Sequence, residues 1–499
     1  MTDEGEASIV ILKGVIKLTE KECMIFNRLK EAVNHNKLDT ELRVAGGWVR
    51  DKLLGTDCND IDIAIDNMVG KELCAIFKAY LLEQGEEVKG DCVIPSNSAK
   101  SKHLETARMY LYGYWIDFVN LRSETYSKKS RIPTKMSFGE PKDDADRRDL
   151  TINSLFYNMK TDCVEDYTRR GITDLKLGKI VTPLPPKETF LDDPLRVLRA
   201  IRFGARFSFT LDQGLKEAAG SDEVRASIDE MISRERIGHE VDLMMGGNQP
   251  VKAVTYIYDL KLFWIVFDRP SVIETNLTPE ACDSRHCLAF IDAAWSLIQS
   301  LEEAVSLSDD QRRLCLYSAL FLPLRNMKYK YNNKKQRYVV HHIFLNSLKL
   351  KSKDSDKVIM IHRAAEKFTH ITSRLTSQEN GHCSKLRILT GLLMREIKDF
   401  WQVALLVSTL VQYPNGEKSR ELFMLVKDMI TKQGLENIWE TKPLFHGHEI
   451  KSILKLNGTC CIGEWQQKVV EWQLANPSGT ANECQIWMRE QWQRLNNVK

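Results

Sequence analysis

A chain of 499 residues with 43% apolar content is long enough for two to four structural units and too apolar to be disordered. Its formal net charge of +3 excludes a whole-molecule basic field, so any nucleic-acid surface must come from local segregation of charge. The 12 cysteines form no CxxC pair, Cys282 and Cys287 are too far apart for a zinc knuckle, and adjacent Cys460–Cys461 would make a strained disulfide. Reduced thiols of an intracellular protein are expected.

In chain order, the amino terminus (MTDEGEAS) is acidic and has no signal-peptide core. Cytoplasm or nucleus is therefore expected; a second product starting at Met24 and a mitochondrial form are both left open. A helix follows over Thr19–Leu38, opened by a Thr19/Glu22 capping box and carrying an apolar stripe of Cys23, Phe26, Leu29 and Val33. Leu42–Ala45 reads as a strand, Gly46–Gly47 as a tight turn and Trp48–Leu54 as a helix. Ile61–Ile65, Tyr112–Leu121 and Thr151–Tyr157 alternate as strands do. Pro183–Pro186 marks a joint, since proline continues neither a helix nor a central strand. From Pro194 onward helical periodicity dominates, in Leu195–Arg206, Ala289–Leu301, Gln311–Leu320 and Leu386–Val411. Trp465 and Trp472 stand a heptad apart and, with Trp487 and Trp492, suit helix packing. No stretch reaches the apolar length of a membrane span.

Asp60-Ile61-Asp62 lies on a predicted strand, so both carboxylates project from one face while Ile61 and Ile63 enter the core. Two like charges so close need neutralising, and hard oxygen ligands suit Mg²⁺. Two such ions roughly 4 Å apart activate an attacking hydroxyl and stabilise a leaving pyrophosphate. The plain alternative is an edge strand with solvated acids. Asp117, set among Trp115, Ile116, Phe118 and Val119, needs a partner: a third ligand position, or an ion pair with Arg108 or Arg122.

Gly46-Gly47 ends a strand and opens a helix, presenting backbone N–H groups where a phosphate binds, with Arg50 one turn in. The full string runs Gly46-Gly47-Trp48-Val49-Arg50-Asp51-Lys52-Leu53-Leu54-Gly55, then Asp60-Ile61-Asp62-Ile63-Ala64. It resembles the first motif of the class II tRNA nucleotidyltransferases and bacterial poly(A) polymerases, within the polymerase β-like superfamily. Arg147-Arg148-Asp149-Leu150-Thr151-Ile152-Asn153 resembles the second motif, and Asp174-Leu175 through Thr182-Pro183 the third. Asp192-Asp193-Pro194-Leu195-Arg196-Val197-Leu198-Arg199 resembles the fourth, opening Asp-Asp where Glu-Asp is the commoner form. Arg234-Glu235-Arg236 with Glu240 resembles the fifth. The stretches His103–Arg108 and Asp117–Arg122 are similar to eukaryotic members.

The resemblance implies an α+β protein: a mixed-sheet polymerase β-like head (1–183), a helical neck with a nucleotide-selecting motif (184–265), and an all-helical body and tail that grips tRNA (266–499). It implies Asp60 and Asp62 as catalytic, with Asp117 as a further metal ligand. Gly46, Gly47, Arg50 and Arg147 would bind the triphosphate, and Arg148, Asp149 and Asn153 the ribose. Asp193, Arg196 and Arg199 would select the base, and Arg234, Glu235 and Arg236 would brace the neck. The selection has a chemical rationale. Cytosine and adenine each offer an amino donor beside a ring-nitrogen acceptor, which a carboxylate and a guanidinium complement. Guanine and uracil reverse that order and would leave both contacts unpaired. Without the resemblance, Asp193–Arg196 is also an ordinary i,i+3 surface pair behind an Asp–Pro helix start.

The expected activity is therefore template-independent addition of C, C and A to tRNA 3′ ends from CTP and ATP. A CC-only or A-only enzyme, a poly(A) polymerase and a non-catalytic RNA-binding scaffold are the alternatives. Arg202 and Arg206 fit either a solvated helix face or phosphate contact. Lys328–Tyr338 (KYKYNNKKQRY) mixes cations with three tyrosines, which suits RNA stacking and phosphate pairing as well as a solvated surface loop. His446-Gly447-His448-Glu449 lacks metal-site spacing and reads as a helix start. No histidine is followed by aspartate, as an HD phosphohydrolase module would require.

Overall fold

The computed structural model describes residues 9–86, 89–94, 106–127, 130–270, 283–331, 335–376, 383–414, 416–456 and 461–497. The acidic start (1–8), the first part of the His103–Arg108 stretch, Cys282 and Cys460 fall outside them. The chain forms two compact units, residues 1–268 with 347–349, and residues 269–346 with 350–499.

The first unit opens with α1 (Glu20–His35), whose Thr19/Glu22 capping box forms as expected. Its buried stripe is Glu22, Ile25, Phe26, Leu29 and Ala32, one face of a 3.6-residue period. Glu22 is a buried acid with two partners across the core: it accepts from Trp48 Nε1 at 2.8 Å and pairs with Lys52 Nζ at 2.8 Å. A product beginning at Met24 would lack Glu22 and leave Lys52 buried without it, which argues against that start.

Then come β1 (Leu42–Ala45), α2 (Gly47–Leu53), β2 (Asp60–Ile65), α3 (Gly70–Glu83), β3 (Lys89–Ile94), β4 (Thr106–Leu111), β5 (Tyr114–Asn120), β6 (Arg122–Ser127), β7 (Ser130–Phe138), α4 (Pro141–Asp146), β8 (Phe156–Asn158) and β9 (Cys163–Glu165). Seven of these strands make one mixed sheet in the order β3-β4-β5-β2-β1-β8-β9. Only β2 and β5 run parallel among its neighbours, and they set Asp62 directly beside Asp117. The period-two reading of β2 holds: Ile61 and Ile63 are fully buried and Asp60 is exposed.

The expected strand Tyr112–Leu121 forms as β5 over Tyr114–Asn120, and Tyr112 and Gly113, both at positive φ, make the turn of the β4–β5 hairpin. The expectation for Thr151–Tyr157 needs correction. Thr151–Asn153 is a 3-10 turn, and the strand begins only at Phe156. The unit continues through α5 (Gly171–Lys176), β10 (Lys179–Ile180), α6 (Pro186–Asp192), α7 (Leu195–Arg206), β11 (Thr210–Leu211), α8 (Gln213–Ala219), α9 (Asp222–Met231), α10 (Arg234–Met245), α11 (Pro250–Asp259) and α12 (Phe263–Val266). The pair β10–β11 means that the region after residue 183 is mostly, not wholly, helical.

The second unit contains α13 (Ser284–Ser300), α14 (Asp309–Leu320), β12 (Lys328–Tyr331), β13 (Lys335–Tyr338), α15 (Val339–His342), α16 (Ser352–Thr376), α17 (Cys383–Ile397), α18 (Trp401–Gln412), α19 (Glu417–Lys432), α20 (Gly447–Leu454), α21 (Ile462–Ala475) and α22 (Ala481–Asn497). The expected Leu386–Val411 helix is broken at Lys398, which sits at φ +54° in a 3-10 turn between α17 and α18. Lys328–Tyr331 and Lys335–Tyr338 pair as antiparallel strands rather than forming only a surface loop. His446 caps α20 through a reciprocal bond with Glu449, as a helix start should. Trp465 is buried and packs edge-on against Trp487 and Trp492, so these tryptophans are core. No helix among the described residues is long and apolar enough to cross a membrane.

Candidate active site

The carboxylates come first. Asp60, Asp62 and Asp117 each offer an oxygen within 4.8 Å of the others, a group able to hold a metal ion. Adjacent parallel strands put Asp62 and Asp117 side by side, and Arg108 stands opposite Asp117 on β4. Arg108 Nε reaches Asp117 Oδ1 at 2.8 Å. Asp117 thus stands in the acid cluster and also carries the ion pair with Arg108. Burial, with Asp60 alongside, pushes the Asp62 carboxyl up to about 6. A buried acid held that high is one that a cation would stabilise.

The glycine turn sits at the same edge. Gly46 adopts φ +75°, which favours glycine, and a Cβ there would meet Arg148 Nη1 at 2.7 Å and displace that guanidinium. The Gly46 amide donates to the Leu155 carbonyl at 2.9 Å; the groups left at this helix end begin at Gly47, where no side chain caps it. Arg50 is only 3% exposed. Its Nε donates to Asp51 at 2.8 Å, its Nη1 donates to Asn153, and its guanidinium lies 4.9 Å from the Phe203 ring and 4.8 Å from Phe207.

Arg147 and Arg148 converge on Asp144, a buried acid on α4 that the sequence reading missed. Its spacing, three and four residues before two arginines, was the available signal. Burial alone would raise the Asp144 carboxyl, but Arg148 and Arg147 outweigh it and hold it below the usual range. Arg148 also donates to the Asn153 carbonyl and lies over Phe156. Asp149 accepts from Arg199 Nε at 2.6 Å, Asn153 Nδ2 at 3.0 Å and the Leu150 amide at 2.8 Å. Against its burial, Arg199 and Asn153 bring it down to about 2.

Asp193 and Arg196 do not form the local i,i+3 pair. Asp193 Oδ2 accepts from Arg236 Nη2 at 2.6 Å, and Arg196 donates to the carbonyls of Arg147 at 2.6 Å and Thr189 at 3.3 Å. The helix opens one residue later than expected, at Leu195 with Pro194 as cap, while Asp193 still accepts from the Leu195 amide at 3.3 Å. Arg236, expected only to brace the neck, therefore reaches the site. Arg234 keeps a bracing role through the Ile265 carbonyl at 2.6 Å. Glu235 is exposed in the first turn of α10.

One cavity of about 810 Å³ gathers these groups. Its lining includes Gly46, Gly47, Arg50, Asp60, Asp62, Arg147, Arg148, Asp149, Asn153, Asp193, Arg196, Arg199 and Arg236. Asp117, beside Asp62 on the neighbouring strand, is not part of the wall. Arg202 and Arg206, for which the sequence left a solvated face and a phosphate contact open, also line it, as does Phe203, which was not expected as a site residue. Phe203 is an aromatic platform touched by Arg50, Arg199 and Arg202. Arg202 pairs with Glu240 at 2.6 Å, so it is not a free phosphate ligand. The volume suits a small polyanionic molecule. Nine arginines and six aspartates in the wall favour phosphate, with the acid cluster at one edge to receive a cation.

The chain is similar to known proteins in sequence and in fold. Residues 42–181 match the Poly A polymerase head domain family. The chain is 35% identical to the mitochondrial CCA tRNA nucleotidyltransferase of Candida glabrata, covering 94% of this chain and 95% of that protein. Against the Saccharomyces cerevisiae mitochondrial CCA tRNA nucleotidyltransferase it is 33% identical, covering 94% and 92%. Its fold resembles the Thermotoga maritima CCA-adding enzyme complexed with tRNA at a TM-score of 0.62, with 18% identity and 97% of each chain covered.

Proposed function

The chain belongs to the CCA tRNA nucleotidyltransferase family and adds C, C and A to tRNA 3′ ends from CTP and ATP, and we propose that the cavity above carries the reaction with Mg²⁺ as its metal. The observation that carries the assignment is the opening of Asp60 and Asp62 of the acid cluster, and of Asp193 and Arg196, onto one 810 Å³ space. Bound Mg²⁺ would supply charge that favours the attacking alkoxide and the leaving pyrophosphate. Asp60 and Asp62 would hold it, with Asp117 completing the set.

The protein's own groups position the rest. The Gly46–Gly47 turn and Arg147 receive the triphosphate, and Arg50 holds that turn against Asn153. Arg148, Asp149 and Asn153 face the ribose. Asp193, fixed by Arg236, accepts from the amino group of cytosine or adenine, and Arg196 donates to the neighbouring ring nitrogen; Arg199 holds Asp149 beneath them. Because Arg236 and two backbone carbonyls already orient this pair, base choice costs little reorganisation. The tRNA 3′-hydroxyl then attacks the α-phosphate in a site that mainly positions and neutralises. We assign the head to residues 1–183, the neck to 184–265 and the tRNA-gripping body and tail to 266–499. The enzyme serves the cytoplasm or nucleus and, as in the mitochondrial relatives, the mitochondrion.

The test offers purified protein three tRNA transcripts, ending before the tail, after C and after CC. Each receives labelled CTP, ATP, GTP or UTP with magnesium, beside an Asp60→Ala/Asp62→Ala control. Addition that completes CCA, stops there and disappears in the control supports the assignment. Only CC or only A would place the protein among enzymes that divide the task, long A tails would make it a poly(A) polymerase, and tRNA binding without incorporation would leave only a scaffold.

A further inference from the structure

The second unit carries a basic surface that the reaction cavity does not use. Strands β12 and β13 pair Lys328 with Tyr338, Tyr329 with Arg337, Lys330 with Gln336 and Tyr331 with Lys335. Tyr329 is the anchor: it is buried and meets the His342 ring edge-on at 5.5 Å. Beyond it the hairpin is half-buried or exposed. The Arg337 guanidinium lies 3.7 Å from the Tyr331 ring centre. Tyr338 has Lys328 at 5.2 Å and Arg363 of α16 at 5.4 Å. Among the described residues no carboxylate pairs with Lys328, Lys335 or Arg337, whereas Arg312 and Arg313 on α14 are both neutralised by aspartates.

We propose that this hairpin is an RNA-backbone surface, holding tRNA phosphates at a place distinct in residues from the reaction cavity. The proposal rests on tRNA being the substrate. Cations layered on aromatic rings are already ordered, so less side-chain freedom is lost when a phosphate docks. Uncancelled charge on both strands gives contact by backbone rather than by sequence, as an enzyme that accepts many tRNAs requires. Lysines on a short two-stranded sheet also discourage edge-to-edge aggregation. That role needs no guanidinium stacked on Tyr331, and it would be served as well by acids.

The experiment measures binding of a labelled tRNA transcript lacking CCA to the full-length protein across a salt series. Wild type is compared with Lys328→Gln/Lys335→Gln/Arg337→Gln. The variant should bind roughly tenfold more weakly near physiological salt. Its slope of log Kd against log salt should be shallower by about 2–3, near 0.7–0.9 per cation removed. The KM for tRNA should rise with it, while kcat at saturating tRNA and the KM for CTP stay unchanged. Lys335→Gln alone, on an exposed side chain, should still remove about one unit of slope if the triple variant melts early. Unchanged affinity and slope, with greater self-association of the variant, would assign the charge to edge protection and overturn the proposal. So would a loss confined to phosphatidylserine vesicles with tRNA binding intact. If wild type binds tRNA with the expected slope but adds no nucleotides, the functional assignment fails while the hairpin is still judged by its slope.

Discussion

Removing Asp60 should abolish activity and yet stabilise the metal-free protein. The Asp62 carboxyl stands at about 6, against 3.8 for an ordinary aspartate; at about 1.4 kcal/mol per unit this is a cost of about 3 kcal/mol once it ionises. Its folded value lies above its unfolded one, so the cost is absent below about pH 4, grows as pH rises through about 6, and is complete above that. Burial is the larger cause and Asp60 the second, so Asp60→Asn should return about 1 kcal/mol, or roughly 2–4 °C in melting temperature. The assay is thermal melting after chelation, at pH 4.5 and pH 7.5, with and without added magnesium. Wild type should gain more from magnesium than Asp60→Asn, and the difference between the two metal-free proteins should vanish at the lower pH. CMP incorporation by the variant should fall by several orders of magnitude. A metal-free variant that melts lower than wild type at pH 7.5, or equal protection of both by magnesium, would refute the view that these acids are a strained cation site.

Gly46→Ala forces a side chain into φ +75° against Arg148 and should cost about 1–3 kcal/mol, read by melting, with a larger proportional loss in CMP incorporation. Arg236→Ala frees Asp193; the preference for CTP over UTP, as a ratio of kcat/KM, should drop roughly 10–100-fold, and Arg236→Lys should recover part of it. Asp149 at about 2 rather than 3.8 contributes about 2.5 kcal/mol above pH 4, lost as pH falls towards 2. Asp149→Asn should flatten that acid limb in a pH series of melts. Glu22→Gln leaves Lys52 buried with only the exposed Asp57 and should destabilise by about 3 kcal/mol, while Glu22→Gln/Lys52→Met should recover much of it.

Much of the head was legible because its signals are local. The alternation of Asp60–Ile65 fixed which face carries acids, and the Thr19–Glu22 spacing fixed the start of α1. The turn at Tyr112–Gly113 trims the start of an expected strand and is marked only by Gly113, and the break at Lys398 shows in no residue type. In the site, the motif residues do gather, but partner choice was opaque. Nearness in sequence pointed Asp193 at Arg196, whereas α10 brings Arg236 to it from 43 positions away. Phe203 could not be singled out because aromatic platforms and core residues share one periodicity. Asp144 was missed because its role exists only once both arginines fold back onto it.

The parallel pairing of β2 with β5 bears on when the site comes into being. Asp62 and Asp117 become neighbours only after the chain has travelled through α3, β3 and β4 and returned. The entropy of closing that excursion is met before the two acids repel each other. Repulsion therefore arrives late, on a nearly native chain, and a divalent ion acts on the same late step. Its signature should be kinetic: magnesium should lengthen the lifetime of the folded state by slowing unfolding, and leave the rate of folding almost untouched.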